Sequence, residues 1–441
     1  MKQPGSICLL PAAAALVSLA SFGQALPPRY AVFELGSFDG GSTRARALND
    51  AGQSTGDSGF YGGVSHAFLG HPDGTIENIE TLPGWGISQG QAINSKGQVA
   101  GVLRDARGQK PNSFFLYTPG AGMVDIGTLG GAAAFVTAMN DSGDIIGASF
   151  NQAGHFRAFL YTAADGFRDL NLALGANIVS ALDINNAGHV VGFFETPQAE
   201  LHGFVWDGQP LDLGGPLSVA MSLNDAGVVV GLMDVPGVGR RAIRYTSDDG
   251  ISVIPDGLGA AAVHATLIAP SGLIVGQYFQ MNTSFVFYHT TDGQTVGVGT
   301  PPGGINRPIA VNDAGRILIQ REDSQTFELA ILVFDPGSGV HDLSEAIIGD
   351  LPWTIVEAWG MNAAGQVLVS GETPDGYATA LLTPVTPGDL NGDGHVDQAD
   401  LGALLAHYGV ENGATYEQGD IDGDGAVNQA DLGILLAAFG N

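Results

Sequence analysis

Near the C-terminus two stretches set oxygen-bearing side chains at the same intervals. The first offers Asp389, Asn391, Asp393, Asp397 and Asp400, at positions 1, 3, 5, 9 and 12 of a loop. The second offers Asp420, Asp422, Asp424, Asn428 and Asp431 at the same positions. Gly394 and Gly425 fall at position 6, where a chain wrapping an ion must bend sharply. Position 7 supplies a backbone carbonyl, so His395 and Ala426 serve equally well there. Calcium takes six to eight oxygen ligands, whereas magnesium holds a tighter octahedron and keeps more of its water. Ligand sets made of oxygen, with no Cys and with His only at a carbonyl position, disfavour zinc and copper. The expectation is two calcium ions, one per loop. The plainer alternative is a flexible acidic tail with incidental Asp-Gly pairs, against which two complete loops speak.

The elements that must hold these loops follow directly. Behind each loop a helical pattern appears, with Leu401, Leu404, Leu405 and Tyr408 at i, i+3, i+4 and i+7, and Leu432, Leu435, Leu436 and Phe439 likewise. Two such stripes are expected to pack on each other. The segments 388–409 and 419–440 match at 15 of 22 positions. The tail has ten Asp/Glu and no Lys or Arg, so its carboxylates repel one another until a metal joins them. The duplicated loop-helix segment, with Asp instead of Glu at position 12, resembles a type I dockerin domain over residues 388–440. That resemblance implies calcium-dependent folding and a helix surface that binds a cohesin domain on another extracellular protein. It also implies that positions 10 and 11, here Gln398-Ala399 and Gln429-Ala430, help select the partner. They are not the Ser/Thr pairs of familiar examples, although their near-identity keeps the symmetry by which either helix can dock.

The rest of the chain is metered by one turn. Ala310-Val311-Asn312-Asp313-Ala314-Gly315 has close relatives ending at Gly52, Gly97, Gly143 and Gly227, and looser ones ending at Gly188, Gly272 and Gly365. Asn or Asp opens a type I turn by bonding its own backbone, and Gly closes it in the left-handed conformation. The closing glycines recur 45, 46, 45, 39, 45, 43 and 50 residues apart, which marks a repeat architecture. Each unit reads as four short strands, the size of one β-propeller blade. The eighth unit lacks its fourth strand, while Tyr30 to Leu35 resembles a fourth strand with no unit before it. Joining them predicts an all-β, eight-bladed β-propeller of four-stranded blades closed by the N-terminal strand, with the small α-helical calcium-binding module behind it. Closure also removes free sheet edges. An open β-solenoid is the alternative. His66-Ala67-Phe68-Leu69, the Asn-Asp-Ala-Gly turns and Asp125-Ile126-Gly127-Thr128-Leu129-Gly130-Gly131 resemble the HAF-repeat family of extracellular repeat proteins, across residues 30–383. The resemblance implies a secreted repeat domain and brings no established activity. The sixth unit departs from the pattern with Ile268-Ala269-Pro270-Ser271-Gly272.

The expected division is a signal peptide at 1–25, a propeller at 26–383, a stiff Pro linker at 384–387 and the dockerin-like domain at 388–441. Lys2, the apolar run from Ile7 to Ala20 and Gly23-Gln24-Ala25 have the layout of a secretory signal, and the run is short for a membrane span. Cys8, the one cysteine, lies inside it, so disulfides and thiolate chemistry are excluded from the mature chain. With 16 Lys+Arg against 45 Asp+Glu, a net charge of −29 excludes nucleic acid and anionic membrane surfaces as partners. No catalytic residue is assigned. His66 and His202 start equivalent strands and read as half-exposed polar positions. Glu34, Asp125, Asp169, Asp212 and Asp342 recur on outermost strands and read as edge charges rather than a glycosidase pair. Arg44, Arg46 and Arg307 are candidates for the channel wall, where an anionic sugar is one possible ligand. The function expected is a secreted calcium-binding protein whose non-catalytic propeller recognises a ligand such as a glycan, or is structural, and whose tail attaches to a cohesin-type partner. The alternative is a dockerin-bearing carbohydrate-active enzyme, a glycoside hydrolase or polysaccharide lyase. A further alternative is a calcium-stabilised stalk without a partner.

Overall fold

The repeated turn builds eight four-stranded antiparallel sheets in a computed structural model that describes residues 26–38, 40–59, 64–281, 283–349, 351–374 and 376–440. The proposed signal segment and Cys8 lie outside the described residues. Blades 1 to 7 are continuous in sequence, with innermost strands Ser42–Leu48, Ile87–Ile93, Gly130–Met139, Val179–Ile184, Ser218–Leu223, Ala262–Ile268 and Gly304–Val311. Blade 8 takes Thr354–Met361, Val367–Thr373 and Gly376–Pro384 from the end of the body and Tyr30–Glu34 from its start. Tyr30 pairs with Pro384, Val32 with Leu382 and Glu34 with Ala380, antiparallel. The innermost strands also touch in succession around the ring, Thr354–Met361 returning to Ser42–Leu48. The circle is therefore closed twice, at its outer edge and at its centre, and the open solenoid is ruled out.

Two local devices recur in the blades. Each innermost strand is interrupted by a bulge, as between Gly90 and Ala92 or between Ala265 and Leu267. In several blades the second strand carries a glycine opposite the bulge and the third strand a buried phenylalanine in register with it. Gly101 pairs with Phe115, Gly147 with Phe159 and Gly192 with Phe204. A Cβ on Gly147 would lie 2.3 Å from the Phe135 carbonyl oxygen and 3.0 Å from the Phe159 ring. Glycine is required there because a bulged backbone and a phenyl ring press on the same point. The rings fill the space between neighbouring blades, as Phe114 and Phe159 do with centroids 4.9 Å apart. Burial of each such ring stabilises by about 1.5–3 kcal/mol.

The turn does more than reverse the chain. In Asn140, Oδ1 accepts the backbone N–H groups of Ser142 and Asp144, which shapes the turn, while Nδ2 donates to the Asn185 carbonyl of the next blade at 3.0 Å. The same reach runs from Asn49 to Asn94, Asn94 to Asn140, Asn185 to Asn224 and Asn362 back to Asn49, at 2.9 to 3.2 Å. Asn224 and Asn312 make longer versions, 3.5 Å, to Ala269 and Ala363. Outside this buried ring lies a second one. The carboxylates of Asp141, Asp225, Asp313 and Asp50 accept N–H groups of Ser95, Asn186, Ser271 and Ala363 from the preceding blades. The irregular sixth turn explains itself here. Ala269 has no amide to offer blade 7, and Pro270 has no N–H, so Ser271 donates instead. A short helix, Leu170–Leu174, follows blade 3, capped by Asp169 and by Gly175 in the left-handed conformation, and was not foreseen.

Removing one partner of a buried hydrogen bond costs about 1–3 kcal/mol. Asn140→Ala is accordingly expected to lower stability by that amount in urea unfolding, while Ser142→Ala, on the exposed crest of the same turn, changes it by less than about 0.5 kcal/mol. Equal effects would show that the asparagine is only a turn former.

Candidate metal centre

The tail's two halves fold by the same local rules. Helices Gln398–His407 and Gln429–Ala438 each begin with a capping box. Asp397 accepts the N–H of Ala399 at 2.7 Å, and Asp400 Oδ2 accepts the N–H of Asp397 at 2.8 Å. Asn428 and Asp431 repeat the pair. The other oxygen of each position-12 acid turns inward, Asp400 Oδ1 to the Leu390 N–H and Asp431 Oδ1 to the Ile421 N–H, both at 2.8 Å. One carboxylate thus starts the helix and ties down the beginning of its own loop. The position-1 acids hold the bend: Asp389 accepts the N–H groups of Gly392, Asp393 and Gly394, and Asp420 those of Gly423 and Gly425. Gly394 and Gly425 sit at φ 91° and 85°, the left-handed backbone the bend requires.

The halves clasp each other. Gly409 donates to the Val427 carbonyl and Val427 to that of Val410, while Gly440 donates to that of Val396. Leu390, Val396, Leu404, Tyr416, Ile421, Val427 and Leu435 form the small buried core. The two helical stripes pack on each other through one flank only, with Leu401 and Leu432 lying against the core that Leu404 and Leu435 share. Leu404 and Leu435 are buried, but Leu405 and Tyr408 stay 53% and 49% exposed, and Leu436 and Phe439 53% and 45%. The tail is too thin to cover both flanks of each helix. Gln398, Ala399, Gln429 and Ala430 are also exposed, at the helix starts.

The electrostatics are unbalanced. Asp389, Asp400, Asp420 and Asp431 are buried, yet among the described residues no ion pair involves a tail carboxylate. Burial, first of all, pushes the Asp389, Asp420 and Asp422 carboxyls above the usual carboxylate range. Neighbouring acids add to this, and hydrogen bonds from loop N–H groups oppose it. Asp393 lies below that range, held by hydrogen bonds from Asn391 and His395. Ligand oxygens of Asp420, Asp422 and Asp431 all lie within 4.8 Å of one another. Calcium–oxygen distances of about 2.3–2.6 Å put ligands on opposite sides of one ion about 5 Å apart, so this cluster fits a calcium ion. In the first loop Asn391 takes the place of Asp422, and its amide nitrogen bonds Asp393 at 2.9 Å. His395 and Ala426 direct their backbone N–H groups to Asp393 and Asp424.

The other residues singled out from sequence are dispersed. Ser113 bonds Asp125, Arg157 lies 4.0 Å from Asp169, and His202 bonds Asp212 at 3.0 Å. In each case the start of a third strand is joined to the acid of the outermost strand beside it. His66 is 3.4 Å from Asn78, Glu34 accepts the Trp353 indole N–H, and Asp342 holds Ser344. These acids stand one to a blade. Arg44 pairs with Glu357, Arg46 with Asp57 and Arg307 with Glu322, so none of the three presents an unpaired charge. The carboxylates that the fold does gather were not singled out. Asp50, Asp141 and Asp225 line a depression of about 340 Å³ where the Asn turns ring the channel. Asp141 is held below its ordinary value: burial pushes it up, but hydrogen bonds from Ser95 and Asn186 and the charge of Lys96 outweigh that. Repetition of Asp after the turn Asn was the available signal.

Fold and site together define a β-propeller bearing a duplicated loop-helix module. Residues 387–439 match the dockerin type I domain, so the tail is a type I dockerin domain, a class that binds calcium and cohesin domains. No curated protein matches the chain. Similar solved structures include the β-propeller domain of the Trilobed protease from Pyrococcus furiosus, at 8% identity and TM-score 0.43, over 70% of this chain and 95% of that one. Pyrococcus horikoshii acylaminoacyl peptidase shows 12% identity and TM-score 0.43, over 66% of this chain and 50% of that one. A Streptogramin B lyase shows 14% and 0.38, over 69% and 96%. Likeness this remote assigns neither activity nor partner, and the blade count stands on the sheets themselves. Among the described residues no helix is long and apolar enough to cross a membrane.

Proposed function

We propose that the protein is secreted and non-catalytic, a recognition or structural propeller attached through its tail to a cohesin-type domain of another extracellular protein. The supporting observation is the matched pair of exposed apolar faces, Leu405 with Tyr408 and Leu436 with Phe439, each towards the end of a helix that starts with an exposed Gln-Ala pair. A folded module this small has no internal use for four half-exposed large side chains, and such patches mark binding surfaces. Two calcium ions complete the module. One is held by Asp389, Asn391, Asp393, His395, Asp397 and Asp400, the other by Asp420, Asp422, Asp424, Ala426, Asn428 and Asp431, with His395 and Ala426 acting through their carbonyls. The signal segment at 1–25 and the resemblance of the repeats to HAF-repeat proteins support export.

In the propeller a glycan is the ligand class we favour. Antiparallel alternation puts the Asn turns on one face, and the loops between second and third strands on the other. Towards that second face blade 3 presents Phe135, Phe150 and Phe156, half-exposed, with the Phe156 ring edge-to-face with Phe150 at 5.5 Å and tilted against Phe135 at 6.1 Å, an exposed aromatic patch that offers ring surface to the apolar face of a sugar. The enzyme reading has less support. Asp50, Asp141 and Asp225 are each engaged by a neighbouring turn, and those hydrogen bonds hold Asp141 below its ordinary value.

Calorimetry on the full chain should find two calcium ions, and Asp431→Ala should remove one of them. Uptake of a single ion by the unaltered chain would contradict the assignment. A pull-down from the host's secreted proteins should retain a cohesin-type partner in calcium and release it in chelator. Either helix can dock, so Leu405→Ala/Tyr408→Ala should weaken binding less than tenfold. Adding Leu436→Ala/Phe439→Ala should weaken it by roughly 30-fold or more, as loss of central apolar anchors does. Full retention by the fourfold variant would place the docking surface elsewhere.

A further inference from the structure

We propose that the calcium module also locks the propeller shut, its first loop and the short helical turn Tyr416–Gln418 between its halves clamping the strand that closes the ring. The inference rests on the calcium reading above and extends it from the tail to the body.

The closing strand Tyr30–Glu34 is short, and its first residue is held from three sides. Tyr30 donates its N–H to the Ala346 carbonyl and accepts the Ile348 N–H, both at 2.9 Å, which binds it to the segment leading into blade 8. Its ring is fully buried, and burial pushes its hydroxyl up to about 12. Just before it, the Arg29 carbonyl accepts the Val385 N–H at 3.0 Å, and the Arg29 side chain bonds the Glu345 carbonyl at 2.6 Å.

The tail covers this junction. The Arg29 guanidinium lies over the Tyr416 ring, 5.2 Å from its centroid. Glu417 accepts the Gly349 N–H at 3.1 Å. Leu26 and Ile348 pack against the tail's own core. Gly392, inside the first calcium loop, lies so close that a Cβ there would meet the Ala31 Cβ at 3.2 Å and Ile348 Cγ2 at 3.9 Å. Every residue of the clamp therefore belongs either to the closing strand and its approach, to the segment buttressing it, or to the tail. Neither exposed helix face takes part, so the clamp and a partner can be engaged together. A loop that is ordered by an ion presents Gly392 in one conformation. A loop of mutually repelling carboxylates does not.

All four tryptophans, Trp85, Trp206, Trp353 and Trp359, lie in the propeller, so their fluorescence reports the body alone. Thermal unfolding of the full chain is followed this way in chelator and in saturating calcium, with calorimetry counting bound ions. Calcium should raise the tryptophan midpoint by several degrees, since about 1 kcal/mol moves a domain of this size by about 2–4 °C or less. In Arg29→Ala/Glu417→Ala the shift should fall by more than half while calcium uptake is unchanged. A tryptophan midpoint indifferent to bound calcium overturns the lock and leaves the calcium reading intact. A full shift in the double variant also overturns it. Absence of calcium uptake by the unaltered chain overturns both.

Discussion

The structure depends on what one side-chain amide does at both of its ends. An asparagine at the start of seven of the eight inner turns uses its oxygen to shape that turn and its nitrogen to reach the next blade, as Asn94 does with Lys96, Gln98 and Asn140. Near the channel the apolar side chains are small, such as Ala45, Ala220 and Ala265, so polar links such as Ser222 to Asp183 and Val136 to Gln91 carry much of the contact between blades there. A buried donor aimed at a buried carbonyl fixes spacing and angle there, and leaving either unpaired is costly. Because each link passes to the next turn, the same geometry repeated around the chain leads back to where it began, Asn362 to Asn49. The hydrophobic clusters between blades supply bulk stabilisation; the amide ring sets the register in which they meet.

The tail solves a different problem with a related device. Its core has only seven buried residues, and its position-12 acids act as Asn does in the body, each bonding a helix start and a loop start at once. The difference is charge. An amide satisfied at both ends is neutral, whereas Asp389, Asp400, Asp420 and Asp431 are buried anions without a cationic side chain. The body is complete as a polypeptide, and the tail calls for an ion. The tail is nonetheless not an independent appendage on a stiff connector. The last strand runs through Pro384, and Tyr416 and Glu417 fold back onto the start of the body.

Much of this was legible in the sequence, for physical reasons that differ by region. Turn chemistry and spacing are local, so the Asn-Gly turns and their period exposed eight blades, and the orphaned Tyr30–Glu34 strand pointed to its partner. The duplicated loop-helix segments of the dockerin domain were equally plain, because residue spacing within one loop is also local. What escaped depended on contacts between units. The second bond of each Asn, the carboxylates of Asp50, Asp141 and Asp225 gathered at one end of the channel, and the pairing of Arg44, Arg46 and Arg307 with acids all require neighbouring strands or blades to be placed first. The stripe from Leu401 to Tyr408 is covered at Leu401 and Leu404 and left open at Leu405 and Tyr408, because periodicity tells which face of a helix is apolar, not whether the fold has enough mass to cover it. The Leu170–Leu174 helix escaped for another reason: five residues are too few to show a period.

Native-state hydrogen exchange of the full chain tests ring closure most directly. If the circle is sealed as described, amides in Tyr30–Glu34 share the opening free energy of Gly376–Pro384 and of the central strand Val367–Thr373, since one cannot open without the others losing their neighbours. Rapid exchange in Tyr30–Glu34 while Val367–Thr373 stays protected would contradict that closure.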